Sequence, residues 1–231
     1  MKEIRDTAIV LLTAAIAYFA AKAIVIEGKE RIFTPSYVRE IRKGYGEVAA
    51  GDKELLRRFD SMTDEEAQRD GARTMVQYAT NAELQDVYLL RSEMFQEIAS
   101  DSSLASLHPV CLAQPLDDKA TKKLLGIMPS KIGRIMGRTY AYRDKGRIKW
   151  TPSVDFERQP EMVEQLLQVL NRLQASEALQ LLAGEVTDAS LACRGQSQLY
   201  GAAARFPDET IGSSRLIDIV RAIEYLTTTP E

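Results

Sequence analysis

The strongest local chemistry in this sequence is positive charge. Residues 119–149 carry ten basic side chains and one acidic side chain, a net charge of +9 in 31 residues, whereas the whole chain has a net charge of −3. A basic surface of this kind binds anionic lipid headgroups, an acidic protein partner or a nucleic-acid backbone. The net acidity of the chain argues against nucleic acid. The candidate binding cations are Lys131, Arg134, Arg138, Arg143, Arg147 and Lys149.

The same basic segment also has a purely structural interpretation. Residues 155–231 carry twelve acidic and six basic side chains, so positive and negative charge are separated along the chain. In this alternative the basic segment packs beside the acidic carboxyl-terminal third, and its aromatic residues belong to the core.

The chemistry of the cysteines and the histidine is limited. Cys111 and Cys193 lie 82 residues apart, and His108, which precedes a proline, is the single histidine. Cysteine and histidine alone therefore cannot form a zinc site. In an exported domain the two cysteines would form one disulfide, and the alternative is two buried thiols. No hydrolase, metalloprotease or nucleotide-binding signature occurs, so we predict no catalytic residue, metal or cofactor.

A nearly uninterrupted apolar run, residues 7–26, indicates a membrane. Its 20 residues are just enough to span a hydrocarbon core of about 30 Å as a helix. Lys22, near the end of the run, has a stem long enough to carry its ammonium to the headgroups. The membrane-spanning residues would include Ala8, Leu11, Leu12, Ile16, Phe19 and Ile24.

Two other interpretations of the apolar run remain open. Residues 21–23 form a small-x-small sequence, which would suit cleavage of a signal peptide, and a buried core helix is the third possibility. For the orientation, the basic residues between 29 and 43 favour a cytoplasmic carboxyl side. A six-residue tail ahead of a first helix is instead usual for a signal-anchor. We therefore expect a single-pass membrane protein whose domain is exported.

The sequence predicts that the rest of the chain is mainly α-helical. We divide it into a membrane segment (1–27), a helical subdomain (28–107) and a second helical subdomain (108–231), with a loop-like boundary at 101–115. Short connections favour antiparallel helices. Apolar spacing and helix-capping residues predict helices over 36–50, 53–62, 82–100, 119–128, 160–173, 177–186, 188–205 and 215–226.

One change of period predicts a β-hairpin at about 139–151. Tyr140 would face Trp150, and Tyr142 would face Ile148, with Gly146 in the turn. This aromatic face would anchor the hairpin to the helical body. The opposite face would present the basic side chains, although a continued helix is an alternative for this segment.

These observations favour a membrane-tethered, non-enzymatic interaction or assembly module of the cell envelope, with membrane lipid and a protein as partners. The first alternative is a secreted or periplasmic helical protein of the inhibitor or immunity type, with a cleaved leader. The second is an envelope hydrolase that uses carboxylates, for which the sequence selects no residues.

Overall fold

The protein is mainly helical. A computed structural model describes residues 35–61, 71–112, 114, 116–152, 161–182, 184–211 and 214–228. The helices are α1 (Pro35–Ala49), α2 (Lys53–Ser61), α3 (Gly71–Tyr78), α4 (Asn81–Ser100), a 3₁₀ helix (Ser102–Leu112), α5 (Asp118–Ile127), α6 (Ser130–Asp144), α7 (Glu161–Arg172), α8 (Ser176–Leu182), α9 (Ala189–Arg205) and α10 (Leu216–Thr228).

Side-chain caps explain where several helices begin. Thr80 precedes α4, and its hydroxyl accepts from the amide of Glu83 while the Glu83 carboxylate accepts from the amide of Thr80, which completes a capping box. Asp117 and Asp188 cap α5 and α9 in the simpler way, with one carboxylate oxygen accepting from a backbone amide of the first turn.

The larger core is built around the contact between α4 and α9. Helices α8 and α10 and the 3₁₀ helix also pack against α9. This core contains residues from both sides of residue 108, such as Leu84, Ile98, Leu170, Leu199 and Ile219. The division of the chain at residue 108 stays a prediction, and this core draws residues from both sides of that position. The segment 101–115, expected to be loop-like, is a 3₁₀ helix over Ser102–Leu112.

Helices α1 and α6 form a second close contact, in which the backbones approach each other at glycines. A Cβ atom added at Gly44 would overlap the carbonyl oxygen of Arg134, and one added at Gly137 would overlap the carbonyl oxygen of Ile41. Gly133 packs against the ring of Tyr37. Gly133 and Gly137, which lie one turn apart on α6, thus allow the close approach of α1.

The prediction of a β-hairpin at 139–151 is wrong. Residues 139–144 are the last turns of α6, and 147–152 form no strand. The helix continues because Met136, Tyr140 and Ala141 extend its buried stripe. Gly146, with φ +74°, follows the end of the helix instead of turning a hairpin. Ile148, expected to anchor the segment, is 90% exposed.

A short antiparallel hairpin lies elsewhere, between α9 and α10. Its strands are β1 (Thr210–Ile211) and β2 (Ser214–Arg215), with Thr210 paired to Arg215. The apolar run at 7–26 and the six membrane-spanning residues assigned to it lie outside the described residues. Among the helices that are described, none combines the length and the apolar character needed to cross a bilayer.

Candidate functional site

The basic side chains predicted as a binding surface divide into two groups, and the first is paired with carboxylates. Arg134 and Arg138 both contact Glu47 of α1, with Arg138 Nε 2.8 Å from Glu47 Oε2. Lys131 Nζ lies 2.9 Å from Asp86 Oδ2 of α4. The hydrogen bond from Arg134, followed by that from Arg138, holds the pKa of Glu47 below its ordinary value. These cations bind α6 to its neighbours.

Arg143 belongs to the same paired group. Its Nε donates to Asp144 Oδ1 at 2.9 Å, and its guanidinium lies 5.1 Å from the centre of the Tyr140 ring. Asp144 Oδ2 also accepts from the buried Tyr45 hydroxyl at 2.9 Å. The Asp144 carboxylate therefore ties the end of α6 to α1 while it neutralises Arg143.

The second group forms the basic corner, which we define as residues 145–150. No carboxylate within the described residues pairs with Lys145, Arg147 or Lys149. Arg147 lies over the Tyr142 ring, 4.8 Å from its centre, and Lys149 Nζ lies 5.4 Å from the centre of the Tyr225 ring. Two of the six predicted cations, Arg147 and Lys149, thus lie together at this corner, and the other four are in ion pairs.

The corner is fixed to the body of the protein by Trp150. Its backbone amide donates to the carbonyl of Gln77 at 2.9 Å, and its ring lies 4.3 Å from the guanidinium of Arg221. Arg221 is 2% exposed and donates to the carbonyls of Val76 and Ala79, which closes the end of α3. Burial lowers the pKa of Arg221 to about 10, so the side chain stays charged at neutral pH.

A buried polar cluster in the larger core was not predicted from the sequence. Glu224 of α10 is 1% exposed and contacts Arg91 of α4. The hydroxyls of Tyr88 and Tyr200 donate to the two Glu224 carboxylate oxygens at 2.9 and 3.1 Å. Burial, followed by the charge of Glu224, raises the pKa of both tyrosines. The polar atoms of Glu224, Arg91, Tyr88 and Tyr200 therefore face one another within the core.

Cys111 and Cys193 are joined by a disulfide. Their Cα atoms are 4.9 Å apart, and both residues are at most 1% exposed. The bond connects the 3₁₀ helix to α9 inside the larger core. His108 lies nearby in the same 3₁₀ helix, where its Nε2 is 3.0 Å from the carbonyl oxygen of Ile98.

No group of three or more His, Cys, Asp or Glu side chains suited to a metal ion occurs within the part of the chain that the structure describes. No protein-family model matches this chain, and no curated protein or solved structure matches it either.

Proposed function

We propose that this chain is a membrane-tethered, non-enzymatic interaction module whose helical domain lies in an oxidising compartment and binds a protein partner. The observation that carries the proposal is the buried Cys111–Cys193 disulfide. Disulfides persist in exported proteins and are rare in the cytosol, where thiols are kept reduced. The apolar run at 7–26 supplies the means of both export and tethering.

The arrangement of the buried titratable groups supports a binding module over an enzyme. A catalytic acid or base needs access to a substrate atom. In the larger core, Glu224 is instead engaged by Arg91, Tyr88 and Tyr200, at a depth where its own exposure is 1%. These groups hold α4, α9 and α10 together, which gives them a structural role.

Thiol trapping in cells tests the location of the domain. Cells that express the full chain are quenched in acid, denatured and treated with a maleimide polymer that adds mass at each free thiol. We expect no mass increase before reduction and two additions after it. An Ile148→Cys variant, which should gain one addition without reduction, is the matched control for access of the reagent. Two additions to the unreduced wild-type chain would overturn export.

Membrane fractionation tests the tether separately. Replacing both Leu11 and Leu12 with Arg should release the chain from membranes, because each charge at the centre of a span costs about 2.5–3.5 kcal/mol. A Leu11→Ile/Leu12→Ile variant keeps the apolar character and should remain bound. If the arginine variant stays in the membrane fraction, the tether lies elsewhere. The mass of the wild-type chain distinguishes a retained anchor from a cleaved leader.

A further inference from the structure

We propose that the basic corner, residues 145–150, is a contact site for an anionic membrane surface. Lys145, Arg147 and Lys149 would bind lipid phosphates, and Ile148 would enter the boundary between headgroups and acyl chains. The inference rests on the proposed function in one respect, because the tether keeps the domain close to a bilayer.

The first support is the contrast in pairing along one basic segment. Arg134 and Arg138 are ion-paired with Glu47, and Arg143 is ion-paired with Asp144. Beyond Asp144 the described residues offer no carboxylate partner to the corner. The nearest polar contacts are neutral: Lys145 Nζ donates to the carbonyl of Val48, and the Gln77 amide oxygen, when oriented towards Lys149, accepts from its Nζ at 3.2 Å. The positive charge of the corner is therefore available to an external anion.

The second support is the position of Ile148 between Arg147 and Lys149. It is 90% exposed, whereas the other exposed large hydrophobic residues in the described part of the chain lie between 37 and 45%. An apolar side chain flanked by cations matches the chemistry of a membrane interface, where aliphatic groups enter the acyl boundary and cations meet phosphates. An acidic peptide would satisfy the cations but offers no comparable environment to a projecting isoleucine, so the lipid surface is the better fit.

The third support is that the corner is held in place before it binds. Aromatic rings lie beneath two of its cations, Tyr142 under Arg147 and Tyr225 under Lys149. Trp150 attaches the segment to α3 through the carbonyl of Gln77. Little conformational entropy is then lost when a headgroup binds, because the backbone is already attached at both ends of the corner.

The test places a polarity-sensitive fluorophore at Ile148→Cys in the full chain. No free cysteine occurs in the described residues, and Cys111 and Cys193 are bonded to each other, so the new thiol is labelled selectively. The labelled chain is reconstituted in vesicles of phosphatidylcholine, and in vesicles of equimolar phosphatidylcholine and phosphatidylglycerol. We expect a blue shift of the emission in the anionic vesicles only, and its loss at high salt, which screens exposed charges.

Matched charge variants separate this site from general electrostatics. Arg147→Gln with Lys149→Gln should weaken the contact about 30-fold, since each cation near an anionic surface contributes roughly fivefold in affinity. Arg134→Gln with Arg138→Gln removes the same charge from ion-paired positions and should leave the shift nearly intact. As a control for position, a fluorophore attached at Gln96→Cys, an exposed residue in the carboxyl-terminal half of α4, should not respond to anionic lipid.

The outcomes distinguish the corner contact from the tether. A chain that floats with both kinds of vesicle but shows no shift at position 148 overturns the corner contact and leaves the tether. Flotation with anionic vesicles only, abolished by Arg147→Gln/Lys149→Gln, supports the corner and overturns the tether. Flotation with neither overturns both. A shift caused by polyglutamate and not by anionic vesicles would identify an acidic protein surface as the partner instead.

Discussion

Two helix contacts in this protein place their charged groups differently. One joins α4, α9 and α10, and the other joins α1 and α6. In the first, Glu224 lies in the interior with two tyrosine hydroxyls and is paired with Arg91, whose side chain is 16% exposed. In the second, glycines bring the two backbones together, and the charged groups of Glu47, Arg134 and Arg138 lie at the edge.

The energetic value of an Arg–Glu pair depends on how deeply the pair is buried. Removing one partner of a buried pair leaves an uncompensated charge and costs about 3–5 kcal/mol. Exposed pairs contribute about 0–1 kcal/mol, because water and salt screen them. The larger core should therefore depend on its charges, while the α1–α6 contact should depend on its shape.

The largest effect is expected at Glu224. Glu224→Gln keeps the size and an acceptor for the tyrosines but leaves Arg91 without a counter-charge, and should lower the free energy of unfolding by about 3–5 kcal/mol. Glu47→Gln, the matched change at the edge, should cost no more than about 1 kcal/mol. Urea denaturation of the full chain in detergent, followed by the fluorescence of its single tryptophan, measures both. Equal losses would remove the contrast.

The disulfide should rank next. Cys111→Ala with Cys193→Ala opens a loop of 82 residues and should lower the free energy of unfolding by about 2–4 kcal/mol. The same urea experiment measures it, and reduction of the wild-type chain should reproduce the loss. Addition of reductant to the double variant is the control. A change there would show that the reductant acts through something other than this bond.

Shape at the α1–α6 contact is tested by adding one methyl group. Gly137→Ala forces the new Cβ against the carbonyl of Ile41 and should destabilise the protein by about 1–3 kcal/mol. At Gly46, on the same α1, an added Cβ meets no atom within 4 Å, so Gly46→Ala should stabilise by about 0.5–1 kcal/mol. Thermal melting should give shifts of opposite sign. Two shifts of the same sign would contradict this account.

The smallest effect is the pH dependence of the edge pair. Because the pKa of Glu47 is lowered from 4.5 in the folded chain, its contribution is fully present above that value and is lost as the pH falls through the lowered pKa. The difference in stability between wild type and Glu47→Gln, at most about 1 kcal/mol, should shrink towards zero in acid. A difference that grows in acid would contradict the direction of the shift.

Most helices could be predicted from apolar spacing together with capping residues. The prediction of 82–100 for α4 and 188–205 for α9 lies within a residue of the observed bounds, because polar capping residues mark where both helices begin and both bury a long stripe. The prediction of a hairpin at 139–151 was wrong because its alternating pattern of side chains covers too few residues to distinguish a strand from a helix. Tyr140 and Ala141 also continue the helical stripe of α6, and burial against α1 favoured the longer pattern.

The charges of the candidate site were predictable as a set but not in their pairing. The partners of Lys131, Arg134 and Arg138 lie between 45 and 91 residues earlier in the chain, and only the tertiary fold brings them together. The buried cluster had one signal in the sequence, the acidic Glu224 within the largely apolar segment 219–226 of α10. For Arg91, by contrast, the sequence indicates only an ordinary surface residue of a helix.

The glycine contact between α1 and α6 also affects the order of folding. Ile41 is synthesised early, but Gly137, the residue it meets, appears 96 residues later. At ordinary synthesis rates this interval lasts about 5–20 s. Throughout that time the glycine-lined face of α1 lacks α6, so this contact forms later than the contact of Tyr45 with Leu55 and Phe59 of α2.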